Sequence, residues 1–400
     1  MVASARAAPT AAPVAVARRG VGVLAVAHFI NDTYTYVLQA VLPALITTLG
    51  LSLGLAGALV TIYQIVASFV QPVVGHLADR GSLRWPAWAG VMASGVAAGL
   101  LGLAPHYLVL VGLLLLGGVG TAIFHPVSGA MVGAAAPAAA RGKWLALYVT
   151  AGNFGNAFGP LAIGALVERW GPAGTWPIML PALVAGGLVY TFAPARPRPA
   201  RTAPALPDLL RRHGRVLGAL IVVVTLRAWA TAALVTFIPL LGRARGLSLG
   251  EATLPLTAFL LVGACGSLVG GLAADRWGRD RVLVGSLLAS VPFGLYVALS
   301  GDAGLGFLLT AAGAGFCLNG SFTALTIRGQ ESVPGSVGMV TGILLGLSVG
   351  LGGLAVTPLA LLAETAGLST AAALAASLGL LAAAAVRLIP PAPKQVGVPT

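Results

Sequence analysis

Apolar runs of about 20 residues or more fill the chain, separated by short breaks that collect charge, Pro or Gly. A helix needs about 20 apolar residues to cross roughly 30 Å of hydrocarbon. The runs place spans near 21–48, 55–78, 87–104, 107–131, 142–167 and 175–193. Six more follow near 215–241, 252–274, 282–300, 304–327, 336–362 and 369–389. The pattern predicts an all-α membrane protein of twelve helices. It excludes a membrane barrel, whose strands alternate over about 10 residues. The first run follows Arg6, Arg18 and Arg19 as a signal peptide would. It is too long for one and carries Asp32, so an uncleaved helix is predicted.

One long polar stretch interrupts the runs, Pro194 to Gly214 (PARPRPARTAPALPDLLRRHG). Its prolines and arginines suit a linker rather than a span. The predicted organisation is a tail at 1–20, a six-helix bundle at 21–193, the linker at 194–214, a second bundle at 215–389 and a tail at 390–400. An internal repeat supports the two halves. GHLADR at 75–80 matches GLAADR at 271–276 with an offset of 196, and Pro43 matches Pro239 at the same offset.

Composition removes the soluble classes. The chain is 58% hydrophobic and 8% charged, where soluble domains carry about 25% charged residues. Soluble enzymes, disordered chains and nucleic-acid binders are excluded. The net charge of +13 then needs another source. With the N-terminus inside, 19 of the 23 basic residues fall in cytoplasmic segments, which predicts both termini in the cytoplasm of a plasma or inner membrane. Only Arg169, Arg243 and Arg245 lie on the other side, and Arg227 lies within a span. Cys265 and Cys317 sit in apolar runs and read as packing residues.

The break after the eighth span reads Gly271-Leu-Ala-Ala-Asp275-Arg276-Trp-Gly278-Arg279-Asp-Arg281. This resembles the G-x-x-x-D-R-x-G-R-R signature of the major facilitator superfamily. The earlier copy keeps Gly75, Asp79 and Arg80 and then departs from it. The resemblance implies two six-helix bundles around a central cavity and assigns these two turns to a cytoplasmic gate. Further stretches are similar to the fosmidomycin-resistance branch of efflux transporters. They are His28-Phe-Ile-Asn31-Asp32, Tyr63-Gln64 to Gln71-Pro72, Phe124-His125-Pro126, Gly152-Asn153-Phe-Gly155-Asn156 to Gly159-Pro160, Leu226-Arg227-Ala-Trp229 and Gln330-Glu331-Ser-Val-Pro334. Gly155, Gly159 and Pro160 also resemble a helix-5 motif of antiporters in the superfamily. Such small residues permit close helix contact, and the proline permits bending.

Two charges lie where lipid should be. Asp32 is 13 residues past Arg19, and Arg227 is 12 past Arg215, about 20 Å along a helix. A central charge costs roughly 2.5–3.5 kcal/mol to insert, so each needs a partner or an aqueous cavity. The offset puts Arg227 at the equivalent of position 31, so the two are expected to face each other as a pair. His28, Asn31, Asp32 and Gln39 share one helix face. Gln64, Asn153 with Asn156, and Asn319 with Thr323 extend the polar set, and His125 joins it from the fourth span. These residues are the candidate substrate site. Asp32 is the first candidate for proton coupling, and Glu331 the second, with a gate ion pair as its other reading.

A metal at His28, Asp32 and His125 would lack further acids or cysteines, so no metal is predicted. G-x-x-x-x-G-K-[ST] is absent, so protons rather than ATP are the expected energy source, with no cofactor. No strand–turn–helix elbow accompanies Ser128 and His125, which argues against a hydrolase. The expected function is proton-coupled export of a small drug-like or anionic molecule by a functional monomer. Proton-coupled nutrient uptake and a non-transporting receptor are the alternatives.

Overall fold

In hydrocarbon every backbone N–H and C=O must be satisfied within the segment, which forces long apolar runs into helices. The computed structural model describes residues 14–78, 84–136, 140–193, 206–333 and 337–391, and among them there is no strand. The first half holds α1 (Val14–Thr33), α2 (Val37–Leu49), α3 (Leu53–Phe69), α4 (Gln71–Ala78), α5 (Arg84–Leu100), α6 (Tyr107–Ala135), α7 (Arg141–Trp170) and α8 (Met179–Phe192). The second holds α9 (Leu206–Ala244), α10 (Leu254–Trp277), α11 (Arg279–Leu299), α12 (Leu305–Ser332), α13 (Val337–Leu354), α14 (Val356–Ala366) and α15 (Leu368–Ala385). Every predicted span contains a helix. Three are broken: α1 with α2, α3 with α4, and α13 with α14 each make one crossing.

Ten of the described crossings are long and apolar enough to span a membrane. The other two crossings are the broken first one and α7. Both carry Asn, Asp or His in mid-membrane positions, which lowers their hydropathy. α9 begins at Leu206, inside the expected linker, with a non-helical turn at His213. The expected boundary at 215 therefore marks a bend; residues 194–205 and most of both expected tails lie outside the described residues.

Three apolar clusters show how the halves meet. One joins residues of both halves, including Val41 and Leu59 with Phe237 and Leu359. The other two stay within a half. Leu24, Phe124, Met131 and Val189 form one, and Leu220, Leu283, Leu325 and Val340 form the other. The bundles are thus fused at one end and separate at the end bearing the Asp275–Arg279 turn. At the fused end Gly57 lies so close to α14 that an added Cβ would sit 2.6 Å from the Ala360 Cβ. There the Thr61 hydroxyl donates to the Gly353 carbonyl at 2.7 Å. Leucines such as Leu108, Leu268 and Leu272 are exposed on the outer surface, where lipid rather than water is their solvent.

In a loop at the fused end, the Gly304 N–H donates to Asp302, which holds that carboxyl below its usual range. Arg245 donates to the carbonyls of Asp302 and Val297 across the same loop.

Candidate functional site

Helix 1 breaks beside its acid. After α1 the chain passes through turns in which Tyr34 and Thr35 N–H donate to the carbonyls of Asn31 and Asp32 at 3.2 and 3.1 Å. Short polar and β-branched side chains at 31–35 hold the backbone poorly in a regular helix. The same crossing is approached closely by α7. A Cβ on Gly155 or Gly159 would come within 2.1 Å of the Phe29 carbonyl oxygen or 2.0 Å of that of Thr33. One on Gly152 would meet Asp32 Oδ2 at 2.6 Å. The α7 glycines, with Pro160 after them, therefore seat the first crossing and its carboxylate against α7. Gly155→Ala is expected to lower the thermal midpoint and collapse transport together, since overpacking costs about 1–3 kcal/mol or more. A thermal melt with a transport assay on one preparation checks this.

Asp32 is captured inside its own half. Its Oδ2 lies 3.3 Å from His28 Nε2 and its Oδ1 2.9 Å from His125 Nε2. Asn31 and Asn156 donate to the same carboxylate at 3.1 and 3.4 Å. The other nitrogen of each imidazole is also engaged. His28 Nδ1 is 2.8 Å from the Tyr148 carbonyl and His125 Nδ1 3.1 Å from that of Thr121. A carbonyl only accepts, so both Nδ1 atoms carry hydrogen. A neutral imidazole would then turn a bare Nε2 lone pair onto the carboxylate, acceptor against acceptor. A proton in each contact turns it into a charge-assisted hydrogen bond. The triad as built thus has places for two protons. Tyr148 stacks on His28 with ring centroids 4.0 Å apart and its hydroxyl is 2.5 Å from Ser128 Oγ, which fixes the ring.

Arg227 is correspondingly satisfied in the second half. Its Nε donates to the Leu318 carbonyl at 2.9 Å and its Nη1 to Ser348 Oγ at 3.3 Å. The guanidinium carbon lies 4.6 Å from the Phe322 ring centroid. Among the described residues it makes no ion pair, so the expected Asp32–Arg227 pair is not formed. Equivalent positions in a repeat fix height in the membrane, not the direction of a side chain. Each charge finds partners within its own bundle, and the bundles can move apart without breaking an ion pair.

Between the halves lies an open cavity whose lining includes Tyr36, Gln39, Gln64, His125, Arg227 and Asn319. Of the triad only His125 reaches its wall. Gln39 is 1% exposed, and neither its Oε1 nor its Nε2 has a hydrogen-bond partner. Asn31 Oδ1 and Asn156 Oδ1 are likewise buried and unpaired. Each such atom costs about 1–3 kcal/mol when left unsatisfied, and a polar cargo would satisfy Gln39 directly. Two predicted residues do not join. Asn153 is exposed and is not part of this cavity's lining, and Thr323 bonds back to the Asn319 carbonyl facing Gly271. Tyr36, Phe322 and Ser348 were missed because aromatic and hydroxyl residues in an apolar run carry no distinctive signal.

His28, Asp32 and His125 each present one donor atom, all within 4.8 Å of one another. A closed structural zinc site takes four ligands, and no fourth His, Cys, Asp or Glu completes the group among the described residues. At the gate turn, Arg279 pairs with Asp275 at 2.8 Å and with Glu331 at 3.0 Å. Gly278 there has φ 92°, a conformation that favours glycine. Glu331 is thus held in an ion pair rather than facing the cavity. Gly271 and Arg276 flank this turn, while Asp79 and Arg80 of the first copy lie outside the described residues and Gly75 is described only as part of α4.

The Major Facilitator Superfamily profile matches residues 24–356 and again 220–400. The chain belongs to that superfamily. It is 28% identical over 351 residues to the fosmidomycin resistance protein of Escherichia coli (strain K12), covering 86% of each. It is 30% identical over 369 residues to an uncharacterized MFS-type transporter, YfnC, of Bacillus subtilis (strain 168), covering 87% of each. Its fold matches a bacterial homolog of the lysosomal transporter Spinster in an inward-facing, occupied conformation. The TM-score is 0.80 at 16% identity, over 92% of this chain and 96% of that one. A D-xylose-proton symporter matches with a TM-score of 0.74 at 18% identity, over 93% and 98%. The major facilitator chain is therefore a multi-pass membrane transporter.

Proposed function

We propose that this transporter exports a small anion bearing a hydrogen-bond donor, in exchange for protons. The observation that carries the reading is one cavity bordered by both Arg227 and the His125 edge of a proton-loadable triad. Loaded with protons, the triad is saturated internally, since every ring nitrogen and both carboxylate oxygens are engaged. Unloaded, His125, the triad member at the cavity wall, is left with an uncompensated acceptor, and a hydroxyl or N–H of the cargo can serve it. Cargo and protons then exclude one another at the triad, which is the sign required for antiport. Arg227 holds the anionic part.

Export is supported by the relative named for fosmidomycin resistance, because removing a compound from the cell protects against it. The protein acts as a monomer in the plasma or inner membrane, with both termini in the cytoplasm and no cofactor beyond the proton. Purified protein in vesicles with an imposed pH gradient tests this, with fosmidomycin as the first probe. Antiport accumulates the probe in the acid compartment and speeds collapse of the gradient. Accumulation in the alkaline compartment is the result of uptake by symport and would overturn the reading. Probe movement without any effect of the gradient would overturn it as well.

A further inference from the structure

At the fused end, two carboxylates cross from one half to the other. Glu168, near the end of α7, accepts from the Gly250 N–H at 2.7 Å, at the start of the eighth crossing. Glu364, near the end of α14, accepts from the Gly54 N–H at 2.7 Å, at the start of the second crossing. The repeat offset of 196 carries Glu168 onto Glu364 and Gly54 onto Gly250. The local sequences are duplicated too, as Gly50-Leu-Ser-Leu-Gly54 and Gly246-Leu-Ser-Leu-Gly250. Gly50 and Gly246 both have positive φ, 61° and 91°. Ser52 and Ser248 both accept from the backbone N–H three residues on, at 3.2 Å. Both glycines sit in tight contact with the glutamates. A Cβ on Gly250 would sit 3.1 Å from the Glu168 Cβ, and one on Gly54 3.2 Å from Glu364 Oε1.

We infer that Glu168 and Glu364 are a two-fold-related pair of latches that hold the outer gate shut. A helix start carries partial positive charge and unpaired N–H groups, so a carboxylate aimed at it is stabilised by both. Each latch joins opposite halves, and both sit at the end remote from the Asp275–Arg279 gate. Opening the outer side must break both, because the two bundles separate there as bodies. The two contacts set carboxylates of one half on backbone N–H groups of the other. Water can replace that contact when the gate opens, without leaving an orphaned cation. The inference needs alternating access alone and holds whichever cargo or ion is carried.

Spin labels at Thr48→Cys and Ala244→Cys, exposed and related by the same offset, report the gap by pulsed distance measurement. The background is Cys265→Ala and Cys317→Ala. Glu168→Gln and Glu364→Gln keep shape and acceptor while removing the charge. A terminal charge of this kind predicts about a threefold fall in the closed-to-open ratio for either change and about tenfold for both. The expected result is a second, longer distance that grows from single to double variant, in equal measure for the two singles. Either single variant alone leaving the distribution untouched, in a protein that still melts cooperatively, would overturn the pairing. Should the double variant fail to fold, the two singles decide the question. Loss of transport with unchanged distances would assign these residues elsewhere and would leave the export reading standing.

Discussion

Asp32→Asn is expected to yield a protein that lets cargo equilibrate but never concentrates it. The carboxamide is nearly isosteric, so the break in helix 1 and the seat against Gly152, Gly155 and Gly159 survive. The proton count changes instead. The carboxylate needs a proton in both imidazole contacts, at 3.3 and 2.9 Å. An amide donates its own N–H to one bare Nε2 and so satisfies that contact with no proton from solution. One of the two exchangeable protons is lost in every state, and the charge that holds the other is gone. In vesicles with a pH gradient the accumulation ratio should fall to one, while flow down a cargo gradient stays within a few-fold of wild type. Persistent accumulation would mean that protons bind elsewhere, with Glu331 the next acid to change. A His125→Gln companion separates the sites. It removes the cavity-facing member and should weaken cargo binding as well as coupling.

Helix number and the internal duplication are legible in the sequence because they rest on run length and repeated motifs. The lining of the cavity is legible only in part. Asn153 and Asn156 share a stripe at a spacing of three, yet three residues leave about 60° of rotation. That rotation brings Asn156 to Asp32 and leaves Asn153 exposed, off the carboxylate. The glycines of α7 were readable as a motif, but not as the reason the carboxylate turns inward. That depends on which helix lies opposite, and a linear pattern does not say. Arg227 was placed at the right depth and given the wrong partner for the same reason. The outer latch is the opposite case. Its duplicated Gly-Leu-Ser-Leu-Gly is plain in the sequence and acquires meaning only when each copy is found against a glutamate of the other half.

Arg227→Met is expected to abolish high-affinity binding of anionic cargo while leaving the fold as stable as before, or more so. Most buried charges cannot be removed so cheaply, because a partner is left behind. Among the described residues Arg227 leaves no carboxylate behind, only the Leu318 carbonyl and Ser348 hydroxyl. The side chain is 3% exposed, so it carries a desolvation cost without an ionic return. Replacing such a group by an apolar one of similar reach is neutral to stabilising, and the Phe322 face accepts a thioether as readily as a guanidinium. Binding should respond in the other direction. Removing one member of a buried charged contact costs about 2–5 kcal/mol, roughly thirty-fold to a few thousand-fold in Kd. Arg227→Lys should fall between, keeping the charge but losing the fork that reaches Leu318 and Ser348 together. Thermal melts with and without the probe read both effects on one sample. Wild-type protein should shift with the anion, and Arg227→Met should start at an equal or higher midpoint and not shift at all. A lower starting midpoint would make Arg227 a structural strut of α9, α12 and α13. A preserved shift would place the anion on other residues of the cavity. A residue that costs stability in the empty protein and returns it only with cargo is how a carrier makes binding drive its own closure.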